Sequence, residues 1–251
     1  MTRPVSSLNV LVTGAGGGMC VGINARLAAA GHTVLCADLN LAAAEAAAER
    51  ITAAGGRALP FELNVSSDES VAALHAAVSE QVGPIQALVN AAGILDRKYL
   101  QDHDTASFQF ALDINLTGPF RLIREFGPEL VEQGWGRIIN ISSIAGVTGY
   151  HYPSYAASKA GLSNLTRSLL VDFWGTGVTV NSICPGVVDT AMVIQEVRDQ
   201  VKKKVPTEQI VTPEEIGALA AFLLTDDARS INGADLLIDG GATQVFSLFD
   251  R

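Results

Sequence analysis

The sequence predicts a single α/β domain built on a doubly wound parallel sheet with helices on both faces. Short apolar segments rich in β-branched residues alternate with helical segments along all 251 residues, a rhythm typical of parallel strands joined by helices. Right-handed crossovers distribute such helices over both faces. Glycine-rich or polar motifs follow several predicted strands, at the edge where a sheet of this kind binds ligands. No linker, repeat or low-complexity segment interrupts the chain, so we expect one domain over residues 1–251.

The first half of the chain supplies four predicted strands and three predicted helices. Residues 8–13 are apolar and β-branched, which predicts a buried parallel strand. A glycine turn and an amphipathic helix that ends at Gly31 follow this strand. The alanine-rich segment 41–54 has high helix propensity, and segment 67–82 carries acidic residues in its first turn, as helices favour. The other strands of this half are expected at 33–38, 57–63 and 85–90.

The second half continues the alternation. A long helical region is expected from about 105 to 132, with Asn115, Gly118 and Pro119 inside it. The helix that contains Tyr155 follows the fifth strand, because an Ala- and Leu-rich run surrounds that residue. Further strands are expected at 137–142, 178–184 and 234–238, and a further helix at about 213–224.

Composition limits the classes of function. Hydrophobic residues make up 48% of the chain and charged residues 17%, which indicates a compact globular protein. The net charge of -9 argues against a nucleic-acid partner, because phosphate binding needs a basic face. The only basic run, 202–204, is short. No apolar run reaches the ~20 residues of a membrane span, and residues 1–8 lack the apolar core of a signal peptide.

The cysteines indicate the compartment. There are three, an odd number, in apolar surroundings and without the spacing of metal ligands: Cys20, Cys36 and Cys184. This pattern predicts no metal site and a reducing environment. We therefore expect a cytoplasmic protein that has neither a membrane nor a nucleic-acid partner.

The glycine turn after the first strand predicts a nucleotide site. Gly14, Gly16 and Gly18 lie in this turn. Glycine lets the backbone approach a pyrophosphate, and the N-terminus of the next helix offers free N–H groups and a positive dipole end. A glycine turn alone is weak evidence, because any tight strand-to-helix turn favours glycine. The second strand supplies the stronger signal.

Asp38 ends that second strand, ~20 residues beyond Gly18, the offset at which a carboxylate bonds the adenosine ribose hydroxyls of NAD. The same carboxylate would repel the 2′-phosphate of NADP. Neither Gly17 nor Leu39 supplies a cation to hold that phosphate. The pattern thus predicts a Rossmann-like domain that binds NAD in preference to NADP. The alternative role for Asp38 is to cap the helix that starts near Leu41.

Tyr155 and Lys159 form the pair with the clearest chemical use. They are spaced at i and i+4 in a predicted helix, so that both side chains share one face. A tyrosine titrates near ~10 in isolation, and a fixed cation nearby lowers this pKa, which suits a group that gives and takes a proton. An exposed Tyr and a solvated Lys are the alternative interpretation of so short a motif.

The chain resembles the short-chain dehydrogenase/reductase family over essentially its whole length. The resemblance rests on several motifs that occur in order at similar spacing. These are TGAGGGMC at 13–20, Asp38, NAAG at 90–93, DINLTG at 113–118, NISS at 140–143, YAASK at 155–159, NSICPGVVDT at 181–190 and IDGG at 238–241.

The resemblance implies a catalytic set of four residues. Tyr155 would be the general acid/base that exchanges a proton with the carbonyl or carbinol oxygen. Lys159 would lower the pKa of Tyr155 and hold the nicotinamide ribose hydroxyls. Ser143 would orient the substrate oxygen for hydride transfer. Asn115 would hold a water beside Lys159 in a proton relay to solvent.

The resemblance also implies the cofactor contacts. Asn64 would accept a hydrogen bond from the adenine amino group, and the segment 185–190 would cradle the nicotinamide, with Val188 backbone and the Thr190 hydroxyl near its carboxamide. The full expected set is Gly14, Gly16, Gly18, Met19, Asp38, Asn64, Val65, Asn90, Ala91, Gly93, Tyr155, Lys159, Pro185, Gly186, Val188 and Thr190.

Four positions need separate treatment. The catalytic serine of similar proteins usually precedes a Ser-x-x-Gly turn and lies thirteen residues before the tyrosine; Ser143 fits the first criterion and Ser142 the second. We prefer Ser143, because one residue lost from the loop explains the spacing. The last glycine of the family turn is Cys20 here, and we expect its side chain to crowd the approach of the pyrophosphate. Ala91 stands where a second Asn is common.

The substrate side of the site is expected in two segments. Residues 191–212 would form a lid over the cofactor, and apolar residues give it an amphipathic pattern: Met192, Val193, Ile194, Val197 and Val201. The loop before Tyr155 offers further candidates, namely Tyr150, His151 and Tyr152, while Tyr99 and His103 are undecided.

Three functional hypotheses follow. The leading one is an NAD-dependent oxidoreductase that acts on a small-molecule secondary alcohol or its ketone. The second is an NADPH-dependent 3-oxoacyl-[acyl-carrier-protein] reductase, for which the basic run 202–204 would dock an acidic carrier. The third is a catalytically idle dinucleotide-binding sensor or scaffold.

The resemblance further implies a homotetramer, or a homodimer, assembled through the Tyr155 helix and the C-terminal strand and helix. An interface face or core packing would use the same apolar residues: Leu162, Leu165, Leu169, Phe173 and Trp174. The apolar tail 245–249 is expected to pack against a neighbouring subunit or its active site.

Overall fold

The computed structural model describes residues 7–191 and 193–245. Within these ranges one parallel sheet has the strand order β3-β2-β1-β4-β5-β6-β7. The strands are β1 (Asn9–Thr13), β2 (Thr33–Asp38), β3 (Arg57–Glu62), β4 (Ala87–Asn90), β5 (Gly136–Ile141), β6 (Val178–Pro185) and β7 (Asp235–Ile238). The helices are α1 (Cys20–Ala29), α2 (Leu41–Ala53), α3 (Asp68–Gln81), α4 (Thr105–Leu112), α5 (Gly118–Glu132), α6 (Pro153–Ser168), α7 (Gln195–Lys204) and α8 (Pro213–Leu223). The predicted doubly wound sheet is confirmed, with element ends within a few residues of those expected.

Two apolar layers cover the two faces of the sheet. In β1, Val10 and Val12 belong to the layer that contains Ile23 of α1, whereas Leu11 belongs to the opposite layer with Phe126 of α5. All five side chains are fully buried. Because successive side chains of a strand point to opposite faces, a continuous apolar run supplies both layers at once.

Helices α1 and α8 pack closely against each other. A side-chain carbon at Gly22 would lie 2.1 Å from the Pro213 carbonyl carbon, and one at Gly217 would lie 2.3 Å from the Gly22 carbonyl oxygen. Only glycine therefore allows these backbones to approach. This contact holds the N-terminal end of α1, which follows the glycine turn, firmly against the rest of the domain.

The helical region predicted for 105–132 is interrupted. Helix α4 ends at Leu112, a π-helical turn spans Asp113–Thr117, and α5 begins at Gly118 with Pro119 in its first turn. Proline is compatible with a first turn, since its missing N–H would have no helical partner there. The wide turn directs Asn115 inward, where it is completely buried.

The carboxyl ends of all strands lie on one edge of the sheet. The chain leaves β1 toward β2 on one side, while β4 pairs with β1 on the other, so a crevice opens between the turns that follow β1 and β4. Within the described ranges no helix is both long and apolar enough to span a bilayer. Met192 of the expected lid and residues 246–251 of the apolar tail lie outside the described residues.

Candidate active site

Helix α6 carries Tyr155 and Lys159 into the crevice. Pro153 occupies its first turn, and Lys159 is 5% exposed. The Lys159 Nζ atom donates a 2.7 Å hydrogen bond to the Ile141 carbonyl at the end of β5 and lies 5.7 Å from the centroid of the Tyr155 ring. The two side chains thus share one helix face, as their spacing predicts. The ammonium is fixed by the sheet itself.

Burial dominates the electrostatics of this pair. It raises the pKa of Tyr155, although a hydrogen bond from Ser143 acts in the opposite direction and lowers it. Burial also lowers the pKa of Lys159 from 10.5 to about 8. The sequence predicts a lowered pKa for Tyr155; the net direction in the structure is upward, because loss of water around the phenolate outweighs the favourable contacts.

The two candidate serines have different surroundings. Ser143 precedes a short 3₁₀ turn, Ile144–Gly146, and its Oγ accepts a 3.1 Å hydrogen bond from the Ala145 amide while contacting the Tyr155 phenol. Ser142 Oγ instead donates to the Lys159 carbonyl at 3.0 Å and meets Ser163 Oγ at 3.0 Å. The structure therefore brings Ser143 to Tyr155 and ties Ser142 to helix α6.

Asn115 fastens the π-helical turn to the loop after β4. Its Oδ1 accepts from the Ile94 amide at 2.8 Å, and its Nδ2 donates to the Ile94 carbonyl at 2.9 Å and to Ser158 Oγ at 3.0 Å. A side-chain carbon at Gly93 would lie 3.1 Å from Asn115 Oδ1 and 3.5 Å from Lys159 Nζ. Asn115 and Lys159 thus converge on the same glycine without bonding directly.

The NAAG segment is held by the neighbouring strands. Thr13 Oγ1 accepts hydrogen bonds from the amides of Ala91 and Ala92, both at 3.1 Å. Asn90 is 1% exposed, and its Nδ2 donates to Asn140 Oδ1 at 2.8 Å. The Asn90 side chain therefore lies inside the sheet, so only its backbone is available to the crevice as the expected cofactor contact.

The glycine turn presents donors of the kind that a pyrophosphate requires. Helix α1 has neither a side-chain cap at Met19 nor an acidic residue in its first turn. The Cys20 amide bonds to the Gly17 carbonyl at 3.0 Å, but no side chain caps this helix end, so its dipole is available to an anion. Gly18 faces Thr190, since a side-chain carbon there would lie 3.2 Å from Thr190 Cβ. These features fit a dinucleotide.

Cys20 does not crowd this turn, contrary to the prediction. The residue is 2% exposed and belongs to the apolar layer beneath α1. Its Sγ lies 4.0 Å from the Thr13 carbonyl, and burial raises the pKa of the thiol to about 12. The thiol points toward the sheet because it occupies the first turn of α1 on the helix face that packs against β1.

Asn64 also differs from its expected role. Its Oδ1 already accepts from the Ser66 amide at 3.0 Å and from Ser66 Oγ at 2.7 Å. Both lone pairs of the oxygen are thus occupied. Acceptance of a hydrogen bond from an adenine amino group would require one of these bonds to open.

Arg121 is a residue at this site that the sequence did not indicate. Its guanidinium donates to the Val65 carbonyl at 3.2 Å and pairs with Asp113 Oδ1 at 2.8 Å. A side-chain carbon at Gly118 would lie 3.0 Å from Val65 Cβ. Arg121 therefore joins the predicted adenine loop to the π-helical turn that contains Asn115. No local motif marks this arginine, because its partners are distant in sequence.

The segment after β6 forms the other wall. The Gly186 amide donates to the Ile238 carbonyl at 3.0 Å, and Val188 bridges Val211. Arg198 of α7 pairs with Asp189 at 2.7 Å. A cavity of about 240 Å³ lies between α7 and the loops after β5 and β6; its apolar lining includes Ile144, Val187, Val197, Val201, Val205 and Val211. Helix α7 has no buried residue among those described, so its predicted apolar inner face lines a cavity instead of a core.

The aromatic candidates form one cluster. Tyr150 lies 6.2 Å from Tyr155 between ring centroids, and His151 stacks on Tyr150 at 4.5 Å and on Tyr99 at 6.1 Å. Tyr152 contacts the same group. His103 lies elsewhere, against Phe108, Ser107 and Asp96. The structure thus joins Tyr99 to the site and leaves His103 as a packing residue.

Comparison with known proteins gives a consistent result. A family model described as Enoyl-(Acyl carrier protein) reductase matches residues 14–243. An acetoacetyl-CoA reductase of Allochromatium vinosum is 38% identical over 237 residues, which cover 92% of this chain and 96% of that protein. A D-threitol dehydrogenase of Mycolicibacterium smegmatis is 36% identical, covering 93% of this chain and 92% of that protein. A solved structure from Agrobacterium tumefaciens, provisionally described as a gluconate dehydrogenase, superposes with a TM-score of 0.92 at 28% identity, covering 96% and 98% of the chains.

The fold and the crevice define an oxidoreductase of the dinucleotide-binding α/β class. The chain belongs to the short-chain dehydrogenase/reductase family, as its ordered motifs predict. It is an enzyme that acts on CH–OH or C=O groups of small molecules, and its family uses nicotinamide dinucleotide cofactors.

Proposed function

We propose that this enzyme transfers hydride between NAD(H) and a secondary alcohol or its ketone, with Tyr155 as general acid/base. The observation that carries the proposal is that Tyr155, Ser143 and Lys159 come together. Ser143 follows the carboxyl end of β5, and the other two residues lie in the first turns of α6. Lys159 Nζ is anchored at 2.7 Å on Ile141, and Ser143 contacts the phenol. This arrangement supports the proposal, because it brings a phenol, a hydroxyl and a cation together.

The roles follow from these contacts. The nicotinamide supplies or accepts the hydride when it is bound. Tyr155 gives a proton to the substrate oxygen during reduction and takes it back during oxidation. Ser143 donates a hydrogen bond to the same oxygen and fixes its orientation. Lys159 favours the phenolate after proton release, since its charge lies on the same face, and Asn115 sets the loop at Gly93 beside it.

Asp38 supports NAD as the cofactor. Its carboxylate closes β2 at the edge where the adenosine ribose is expected, and Gly17 and Leu39 beside it carry no cation. A 2′-phosphate would meet a negative charge without compensation there. Gly14, Gly16, Gly18 and Met19 would hold the pyrophosphate, and Pro185, Gly186, Val188 and Thr190 the nicotinamide end.

Assembly and location are part of the same proposal. We place the protein in the cytoplasm, on the basis of its three free, buried cysteines. A homotetramer or homodimer is supported by exposed apolar residues on α8 and β7, Phe222 and Leu237. The sequence leaves open whether the apolar residues between Leu162 and Trp174 serve an interface or the core. Leu162 and Phe173 are core residues, whereas Trp174 is 85% exposed. Residues 191–212 would close over the substrate.

The second candidate is a 3-oxoacyl-[acyl-carrier-protein] reductase that uses NADPH. The observation in its favour is the exposed basic end of α7, Lys202–Lys204, of which Lys204 borders the cavity beside that helix. An acidic carrier would dock there by charge complementarity. Asp38 argues against this candidate, because its carboxylate would repel the 2′-phosphate of NADPH.

Titration calorimetry with NAD and NADP tests the proposal on purified protein. Tight NAD binding and weak NADP binding are expected, and turnover of secondary alcohols with NAD should follow. A preference for NADPH would move the carrier-protein reductase to the front. Binding of neither dinucleotide would favour a catalytically idle scaffold.

A further inference from the structure

Every tyrosine of the chain lies at the active site. The sequence contains four, and Tyr99, Tyr150 and Tyr152 surround His151 within 6.1 Å between ring centroids. Tyr150 lies 6.2 Å from the fourth, Tyr155. Two separate loops, after β4 and after β5, supply these rings. An apolar ketone pocket would not need such a concentration of phenol hydroxyl and imidazole groups.

Tyr150 is the member closest to the proposed chemistry. It is partly buried, and its pKa is raised by burial and by Tyr152, against a lowering effect of Arg97. Its hydroxyl is therefore neutral at physiological pH and able both to donate and to accept. Among the described residues no side chain or backbone group forms a hydrogen bond with this hydroxyl. A partly desolvated hydroxyl whose ring lies 6.2 Å from that of Tyr155 is thus available to a partner from outside the protein.

We propose that Tyr150 binds a second oxygen of the substrate, and that the substrate is a polyhydroxylated carbon chain or its keto form. The inference rests on the proposed function, because it assumes that the reacting carbinol lies at Tyr155. A polyol offers both C–H groups that pack on aromatic faces and hydroxyls that pair with the polar tips of Tyr and His. Tyr152 and His151 extend the same surface to hydroxyls further along the chain.

The alternative location for the substrate is the cavity beside α7. Its lining includes Ile144, Val187 and Val201 and shares no residue with the aromatic cluster. A hydrocarbon chain would enter this cavity and leave Tyr150 without a partner. A site built to pair with a hydroxyl discriminates strongly against analogues that lack it, so the two locations predict opposite preferences.

A graded series of four-carbon alcohols provides the test: 2-butanol, 2,3-butanediol and the stereoisomers of threitol and erythritol, each with NAD. The wild-type kcat/KM is expected to rise with the number of hydroxyls. Tyr150→Phe should lower kcat/KM for the tetraols about tenfold and leave 2-butanol unchanged, because one hydrogen bond is lost only with the former. Tyr99→Phe removes a hydroxyl of the same cluster from a ring that contacts His151 and Tyr152, and its loss for the tetraols should be smaller than that of Tyr150→Phe. Saturation-transfer NMR of the NADH complex should show a matching loss of tetraol binding in Tyr150→Phe.

Two results would overturn the inference without touching the proposed function. One is a wild-type preference for 2-butanol, and the other is an equal loss for all alcohols in Tyr150→Phe. If the wild type reduced no NAD with any alcohol and no ketone oxidised NADH, the proposed function itself would fail.

Discussion

The Asp38 carboxylate accepts a hydrogen bond from the Gly16 amide at 3.0 Å. Its other oxygen accepts from the Asn40 amide at 3.1 Å. The same acid therefore shapes the glycine turn and presents a negative charge where the adenosine ribose is expected. Asparagine removes the charge and keeps one of the two acceptor oxygens, so Asp38→Asn tests the charge while it retains the acceptor for one of the two amides.

Asp38→Asn is expected to weaken NAD binding about tenfold and to strengthen NADP binding. The first effect comes from loss of a charged hydrogen bond to the ribose, and the second from loss of repulsion. Calorimetric titration of both dinucleotides measures the change. Glu62→Gln is the control, since Glu62 is the register partner of Asp38 on β3 and is exposed. An unchanged ratio of NAD to NADP affinity in Asp38→Asn would refute the ribose role.

The two adjacent serines should separate catalysis from stability. Ser143→Ala is expected to lower kcat about 10²-fold, because an oxygen-orienting donor is lost, with little change in melting temperature. Ser142→Ala should cost about 1–2 kcal/mol of unfolding free energy, since its hydroxyl bonds Lys159 carbonyl and Ser163 in the interior. Steady-state kinetics and denaturant unfolding of both variants decide the matter. A larger kcat loss in Ser142→Ala would reverse the assignment.

Arg121 is expected to act on cofactor binding as a positioning residue. Arg121→Met should raise KM for NAD about five- to tenfold and change kcat less, because the Val65 loop loses its link to Asp113. Arg124→Met is a matched control on the same helix. Arg124 is about half exposed and pairs with Asp68 at the surface, so its removal should matter little. Equal effects of the two substitutions would argue against the positioning role.

Lys159 should make the stability of the free enzyme depend on pH. Its pKa falls from ~10.4 in an unfolded chain to about 8 in the fold. Between these values the unfolded chain holds a proton that the folded chain has released, so the free energy of unfolding rises with pH. The free energy of unfolding of the wild type, minus that of Lys159→Met, should therefore rise by up to about 3 kcal/mol from pH 8 to ~10.

Urea unfolding at several pH values measures this difference. Groups remote from Lys159 contribute equally to both proteins and cancel in the comparison. A difference that is flat, or that falls as pH rises, would mean that Lys159 keeps its charge in the folded protein.

Most of the fold could be predicted from the sequence because local patterns agree with the global one. In a sheet that is covered on both faces, continuous apolar runs such as 8–13 and 178–184 form the buried strands. The π-helical turn at Asp113–Thr117 was not predicted, since its helical periodicity continues across the interruption. It depends on the bonds between Asn115 and Ile94, which join residues that are distant in sequence.

The site was predictable where chemistry is local and not where it depends on tertiary contacts. Tyr155 and Lys159 share a helix face, so their spacing alone indicates a pair. Three features depend on side-chain directions or on partners distant in sequence. They are the inward direction of Cys20, the occupied side-chain oxygen of Asn64 and the link through Arg121. The raised pKa of Tyr155 likewise comes from burial, which spacing does not reveal.

The most direct test of the account is hydride transfer by Tyr155→Phe, followed through NADH absorbance with every alcohol or ketone that the wild type accepts. We expect kcat to fall about 10²- to 10⁴-fold, while NAD affinity by calorimetry stays near that of the wild type. Tyr99→Phe should retain most activity. Near-native turnover by Tyr155→Phe would contradict the assignment of Tyr155 as the group that exchanges the proton.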